Sequence, residues 1–219
     1  MKRFQRVSVG MAMLFGLAAA PVLGQVNVSV RGGASLATLG GSAADSIPSK
    51  GNRTGLNVGA TATFGLSENM GLQLGLGYAQ KGVAMSEAGA EITFGLDYIE
   101  VPVLLQIGIP TQGSFSPHVY LGGSVAFESK CEIGVSFGGI SGAVACDEPA
   151  SEFQLATKST EFGAVGGVGA SIAAGESLSI TLDVLYNLGL SSVDDSTPAE
   201  SLKNRAWSFL AGVSFPLGG

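Results

Sequence analysis

The chain has 219 residues, of which 34 are glycine, 46% are hydrophobic and only 13% are charged. Low charge and high apolar content argue against intrinsic disorder, and the glycines follow no three-residue period, which excludes collagen. Because glycine inside a helix costs about 1 kcal/mol relative to alanine, this composition favours strands over helices.

The first 24 residues have the pattern of a secretory signal peptide. Three basic residues precede an apolar run over 7–20, and Val22-Leu23-Gly24 supplies small or apolar residues before a cleavage point. A membrane-anchoring helix is the alternative, but Pro21 interrupts a run that is already short for a span. We predict a signal peptide over 1–24 and a mature domain over 25–219. Loss of three basic residues leaves 8 basic against 17 acidic residues, a net charge of −9, which disfavours nucleic acid as a partner.

From residue 26 onward, apolar residues alternate with small or polar residues at the period of a strand. The pattern occurs in eight segments, at about 26–38, 55–66, 72–81, 92–107, 117–127, 161–172, 178–190 and 204–217. In the fourth segment the apolar phase changes near Tyr98, which predicts either a bulge or an extension beyond the apolar zone.

The connections between these segments differ in length at the two ends of the sheet. Three are short, and the longer stretches at 39–54, 82–91, 128–160 and 191–203 hold most of the acidic residues. Short turns at one end, long loops at the other and an even strand number are typical of outer-membrane barrels. We predict an all-β fold, an eight-stranded antiparallel up-and-down transmembrane β-barrel.

The charge distribution decides which face of the barrel is outside. A secreted lipocalin-like barrel would present its polar face to water, yet the small-polar face carries far fewer charges than a soluble surface. Its charges are Arg31, Lys81, Glu100, Glu161 and Asp183. We therefore predict that the apolar face contacts lipid and that these five charges form a network in a narrow, filled lumen. Lys81 is expected to pair with Glu100, and Arg31 with Asp183; a proton or ion path is the alternative to a structural network.

His118 is the only histidine, and its parity places it inside the barrel near the short turns, beside Tyr120. A Ser-His-acid hydrolase needs a serine within reach of the base, and neither Ser116 nor Ser124 lies in a motif. One histidine and two cysteines also make a poor zinc set. We predict that His118 is an interior hydrogen-bonding residue, and we expect no enzyme activity, no catalytic residue, no cofactor and no metal.

The two cysteines, Cys131 and Cys146, lie in the longest loop of an exported chain, where a disulfide is expected. A hairpin that turns at Gly138-Gly139 would place them opposite each other, and Gly-Gly suits a two-residue turn. The hairpin would carry an apolar stripe of Ile133, Val135 and Phe137. Either this stripe binds a partner, or the disulfide only stiffens a long loop.

Several segments resemble the PorT-type family of outer membrane β-barrels. Residues 96–105, LDYIEVPVLL, resemble the family's most specific strand motif, and weaker matches follow in family order over the mature chain. These are LGYAQKG at 76–82, PHVYLGG at 117–123, YNLGL at 186–190 and KNR at 203–205. The resemblance implies a small OmpX-like barrel in the outer membrane of a Gram-negative-type bacterium, with no catalytic residues.

We therefore expect a non-enzymatic outer-membrane barrel that acts as a structural or surface-interaction protein. One alternative is a component of a protein-secretion or assembly system, as in some relatives, and a second is a narrow passive channel. The expected partners are outer-membrane lipid and lipopolysaccharide, the barrel-assembly machinery during biogenesis, and an envelope protein that contacts the loop over 129–158.

Overall fold

The computed structural model describes residues 26–44, 49–87, 89–146, 157–194 and 201–217, so the predicted signal peptide lies outside the described residues. Within these ranges the chain forms nine strands. They are β1 (Val26–Gly40), β2 (Lys50–Ser67), β3 (Met70–Glu87), β4 (Ala90–Gly108), β5 (Phe115–Phe137), β6 (Ile140–Ala145), β7 (Thr160–Ala173), β8 (Ser179–Gly189) and β9 (Lys203–Leu217).

Eight of these strands close into a ring. The order β4-β3-β2-β1-β9-β8-β7-β5 is completed by pairing of β4 with β5, and β6 adds to the far end of β5. Every pairing is antiparallel, which confirms the predicted up-and-down barrel. We call the end that holds the β2–β3, β4–β5 and β7–β8 connections the turn end, and the opposite end the loop end.

The outer surface of the ring is apolar and its interior is polar. Leu76, Leu121 and Val168 are exposed on the outside, whereas the alternate residues Lys81 and Tyr120 are buried inside. A water-soluble barrel would show the reverse distribution, so the strand pattern is that of a barrel surrounded by lipid. No helix in the described ranges is long and apolar enough to cross a membrane.

The change in apolar phase near Tyr98 is not caused by a bulge in β4. Asp97 pairs with Lys130 and Tyr98 with Glu128, so the extra residue is Ser129 on β5. The register of β4 with β3 has no shift there, and Phe94 and Leu96 stay on the interior face, where both are buried. The apolar phase changes because the interior itself becomes apolar at the loop end.

Two stretches predicted as connections contain extended strand within their described residues. The prediction for 82–91 was wrong, since β3 and β4 stay paired up to Glu87 and Ala90. In the stretch 128–160, β5 continues to Phe137 and turns into β6. The alternation differs in these parts because inward residues such as Val83, Phe94 and Leu96 are apolar and buried in the interior. The predicted turn is confirmed: Gly138 and Gly139 have φ of 59° and 84°, the positive values that a type I′ hairpin turn requires.

Candidate functional site

The lumen near the turn end holds a buried hydrogen-bonded group that we call the lower cluster: Arg31, Gln73, His118, Tyr120 and Asp183. Arg31 Nη1 donates to Asp183 Oδ2 at 2.9 Å, and Arg31 Nη2 donates to Gln73 Oε1 at 2.7 Å. Tyr120 donates its hydroxyl to Asp183 Oδ1 at 3.1 Å, and His118 Nε2 lies 3.2 Å from the same oxygen. The cluster joins β1, β3, β5 and β8 across the lumen.

Of Ser116 and Ser124, it is Ser116 that contacts the His118 ring, and it does so through its backbone. His118 Nδ1 lies 3.2 Å from the backbone carbonyl oxygen of Ser116, so this contact leaves the serine hydroxyl unused. Ser124 belongs to a different contact, in which its hydroxyl accepts from Asn187 Nδ2 at 3.0 Å. The imidazole therefore contacts Asp183 and Tyr120, and its geometry supports a role in holding strands together.

A second group, the upper cluster, lies nearer the loop end and consists of Lys81, Tyr98, Glu100, Glu161 and Asn204. Lys81 Nζ is 2.5 Å from Glu100 Oε1 and 3.1 Å from Glu161 Oε1. Asn204 Nδ2 donates to Glu161 Oε2 at 2.5 Å and to the Tyr98 hydroxyl at 3.2 Å. The five predicted lumen charges thus divide into two in the lower cluster and three in the upper cluster.

Apolar layers separate and cover the two clusters. Between the two clusters, Leu104, Val165 and Leu185 pack with Tyr120, beside a small cavity of about 60 Å³. Above the upper cluster lies a group of buried residues that we call the cap. It consists of Leu39, Ala44, Val83, Phe94, Leu96, Tyr98, Ala126, Cys146 and Val193. Tyr98 belongs to both groups, because it packs in the cap and its hydroxyl accepts a hydrogen bond from Asn204. From the lower cluster to the cap, the described lumen is therefore occupied by alternating polar and apolar side chains, whereas a cavity of about 770 Å³ opens at the turn end.

Sequence reasoning missed several polar partners. Gln73 and Asn204 complete the two clusters, and their alternating positions on the strands are the signal that points to them. A further ion pair joins Arg53 Nη1 to Asp97 Oδ1 at 3.2 Å, and Tyr78 donates its hydroxyl to Asp97 Oδ2 at 2.6 Å. The pair was missed because residues 39–54 were predicted as a loop. Across the described ranges, no group of three or more His, Cys, Asp or Glu residues is arranged to hold a metal ion.

A disulfide links Cys131 on β5 to Cys146, directly after β6, with 5.4 Å between the two Cα atoms. Cys146 is buried in the cap, so the bond ties the β5–β6 hairpin to the mouth of the barrel. We call residues 130–145 the arm. At its base Lys130 Nζ lies 2.8 Å from Glu132 Oε2, and this hydrogen bond raises the pKa of the Lys130 ammonium group.

The arm has an apolar face and a polar face. Val135 pairs with Ile92 on β4, Phe137 with Ile140 and Ile133 with Val144, and directly paired residues share one face of a sheet. Ile133 packs against the cap, whereas other members are exposed, Phe137 by 62% and Ile140 by 80%. We call this exposed set the arm face: Ile92, Val135, Phe137, Ile140 and Val144. The opposite face carries Glu91, Thr93, Ser136 and Ser141.

Removing the disulfide should loosen the arm. We expect the Cys131→Ala/Cys146→Ala variant to lose up to about 3 kcal/mol of unfolding free energy, because the bond closes a 15-residue loop. Guanidinium unfolding of the refolded protein in micelles, with and without reductant, measures this. Reductant should shift the parent protein and leave the variant unchanged; identical transitions for oxidised parent and variant would contradict the prediction.

Comparison with known proteins agrees with the architecture. The family model described as "Outer membrane protein beta-barrel domain" matches residues 18–195. No curated protein matches the chain. Among solved structures, Neisserial surface protein A is 16% identical, with a TM-score of 0.49, 88% of this chain covered and 97% of that chain.

Two further solved structures are similar at lower scores. Ail, the attachment invasion locus protein of Yersinia pestis, is 15% identical with a TM-score of 0.42 over 88% of this chain and 99% of that one. A major outer membrane protein from Thermus thermophilus is 13% identical with a TM-score of 0.47, again over 88% and 99%. The closed ring of eight antiparallel strands, its apolar outer surface and the family match over most of the length lead to one conclusion. The chain belongs to the outer membrane protein beta-barrel domain family.

Proposed function

We propose that this protein is a non-enzymatic, integral outer-membrane barrel that acts at the cell surface through its arm. Its N-terminal signal directs export, its turn end faces the periplasm and its loop end faces outward. Outer-membrane lipid and lipopolysaccharide contact the apolar outer surface, and the barrel-assembly machinery inserts the chain. The observation that carries the proposal is the arm face, an exposed apolar surface held beyond the barrel.

Strand length supports a position outside the membrane for the arm. A tilted strand needs roughly 9–11 residues to cross the bilayer, whereas β4 has 19 residues and β5 has 23. The residues beyond this length lie at the loop end, so β4 and β5 can cross the bilayer without the arm. The apolar residues of the arm face are therefore not needed for contact with lipid tails. Exposed apolar patches on such a surface mark interaction sites, and the disulfide together with the β4–β5 ladder preorganises this one.

The lumen disfavours the passive channel. A cavity of about 770 Å³ opens at the turn end, but beyond it the lower cluster, the layer of Leu104, Val165 and Leu185, the upper cluster and the cap obstruct the described interior in succession. The alternative is a role in protein secretion or assembly. This alternative includes the proposal that the chain belongs to the PorT-type outer membrane barrels. It rests on the resemblance of residues 96–105, which contribute Tyr98 and Glu100 to the upper cluster.

Site-specific photo-cross-linking in intact cells tests the surface role. We expect a photo-reactive phenylalanine analogue at position 137 to give a discrete adduct, because this side chain lies on the arm face. The same analogue at position 136, the neighbour on the polar face, is the matched control and should give none. Both proteins should keep the heat-dependent gel shift of a folded barrel. Adducts of equal yield at both positions, or at neither, would count against the arm, and an adduct only at the periplasmic turns would favour the secretion role.

A further inference from the structure

Strand β6 has one unpaired edge among the described residues. It pairs with β5 along one side, it is the last strand in the sheet order, and all of its residues are exposed. The free edge of a sheet offers backbone N–H and C=O groups to another strand, and proteins usually protect it with charged side chains, proline or a bulge. The β6 sequence ISGAVA has no charge and no proline, and its ladder with β5 has no register shift. This edge is therefore open to the addition of a strand.

The hydrogen-bond pattern identifies the backbone groups on this edge. Cys146 N–H donates to the Cys131 carbonyl oxygen at 3.2 Å, so the residues directly after β6 and opposite it form a hydrogen-bonded pair. Such pairs alternate along an antiparallel ladder. Counting back from Cys146, every second residue of β6 therefore bonds to β5. The residues between them direct their N–H and C=O groups toward the open edge, and these are Ser141, Ala143 and Ala145.

This edge is complementary to itself. When two copies of β6 pair antiparallel about Ala143, Ala143 meets Ala143 of the second copy, and Ser141 meets Ala145 of the second copy. Each of these pairs exchanges two hydrogen bonds, so all N–H and C=O groups of the three edge residues are satisfied. A shifted register leaves some of these groups without a partner, which favours the register centred on Ala143.

The side chains of β6 permit this pairing. On the polar face of the arm only serine and alanine side chains meet across the contact. On the opposite face Val144 meets Gly142 of the second copy, where an added Cβ would have no atom within 4 Å. The contact therefore contains neither a steric clash nor a pair of like charges.

Symmetry decides where the second copy lies. Two identical antiparallel strands are related by a two-fold axis perpendicular to their sheet. The arm continues the barrel wall through the β4–β5 ladder, and this wall crosses the membrane with its strands tilted by about 35–45°. An axis perpendicular to the wall lies in the plane of the membrane, so rotation about it turns the second barrel upside down. The second copy therefore cannot share the membrane of the first.

We propose that β6 pairs with β6 of a second copy in a facing outer membrane, so that two arms join two membranes. This inference rests on the proposed surface role of the arm and names its partner. One edge contact buries little surface, but many copies in two facing membranes act together, and multivalency makes weak contacts effective.

The test is the clustering of phosphatidylcholine liposomes that carry the full mature protein, reconstituted from the folded state by detergent removal and free of lipopolysaccharide. Light scattering follows clustering at about 0.01 M ionic strength, where exposed charges are weakly screened. We expect the parent liposomes to cluster. Ala143→Lys and Ala143→Glu liposomes should each cluster at least about tenfold less, because position 143 meets itself and the repulsion acts at every contact. A mixture of the two should cluster again, since lysine then faces glutamate.

Ser136→Lys is the matched control, because it adds the same charge to the polar face on β5, one strand away from the open edge. Its liposomes should cluster as the parent liposomes do, and all variants should keep the heat-dependent gel shift. Parent liposomes that stay dispersed would overturn the proposal, as would a Lys/Glu mixture that clusters no better than its two components. An adduct at position 137 together with dispersed liposomes would overturn only the pairing of β6, and it would leave the arm as the binding site of a different protein.

Discussion

The Lys81→Met variant should unfold with about 3–5 kcal/mol less free energy than the parent protein, the range observed when one partner of a buried ion pair is removed. The Lys81 side chain is 2% exposed, and its ammonium group lies within 3.1 Å of both Glu100 and Glu161. Methionine keeps most of the volume but leaves the largely buried carboxylates of Glu100 and Glu161 without their shared counter-charge. The loss of unfolding free energy should therefore come mainly from the removed charge, and less from changes in packing.

The matched control is Lys130→Met, the same chemical change in an exposed pair. Lys130 is 2.8 Å from Glu132, but its side chain is 54% exposed, and exposed pairs contribute little because water and salt screen them. Guanidinium unfolding in micelles, followed by fluorescence of the sole tryptophan, Trp207, compares the two variants. Similar midpoints for Lys81→Met and the parent would show that the upper cluster is not a stabilising network.

Period-two alternation predicted the barrel because the two environments of each strand differ strongly where lipid is outside. The same contrast placed Arg31 and Lys81 inside, and neighbouring strands made the Lys81–Glu100 pair the natural expectation. The contact of Lys81 with Glu161 was not foreseen, because it crosses the lumen from β3 to β7. Such contacts depend on the tilt and stagger of the closed ring, which a single sequence does not reveal.

The structure of the arm was only partly predictable from the sequence. The cysteine spacing and Gly138-Gly139 located its turn, and 92–107 was predicted as a strand, but the pairing of that strand with the arm and the extension of β3 to Glu87 were not predicted. At the loop end the inward face is apolar and packs in the cap, whereas outward residues such as Glu91 and Ser136 are polar, so the contrast between the two faces is reversed. Ile140 and Val144 were missed for this reason, although they share a face with Phe137 and Ile133.

Replacement of a glycine on the inner face should also cause a large loss of unfolding free energy, because a side chain has no space there. A Cβ added at Gly169 on β7 would meet Asp183 Oδ1 and His118 Nε2 of the lower cluster, and it would lie 3.0 Å from the Leu182 carbonyl oxygen. We expect Gly169→Ala to lose about 2–4 kcal/mol of unfolding free energy, since overpacking combines with disruption of buried hydrogen bonds.

Gly166 on the same strand is the matched control. A Cβ there would have only the Tyr120 carbonyl oxygen near it, at 3.9 Å, because this position lies on the outer face opposite Tyr186. Gly166→Ala should be neutral or slightly stabilising, since alanine restricts the unfolded chain more than glycine does. Guanidinium midpoints followed by Trp207 fluorescence give both values. Equal losses in the two variants would contradict the prediction, because crowding inside the lumen would then not account for Gly169. A loss confined to Gly169→Ala is the result we expect, because the neighbouring carboxylate and imidazole leave no volume for a methyl group.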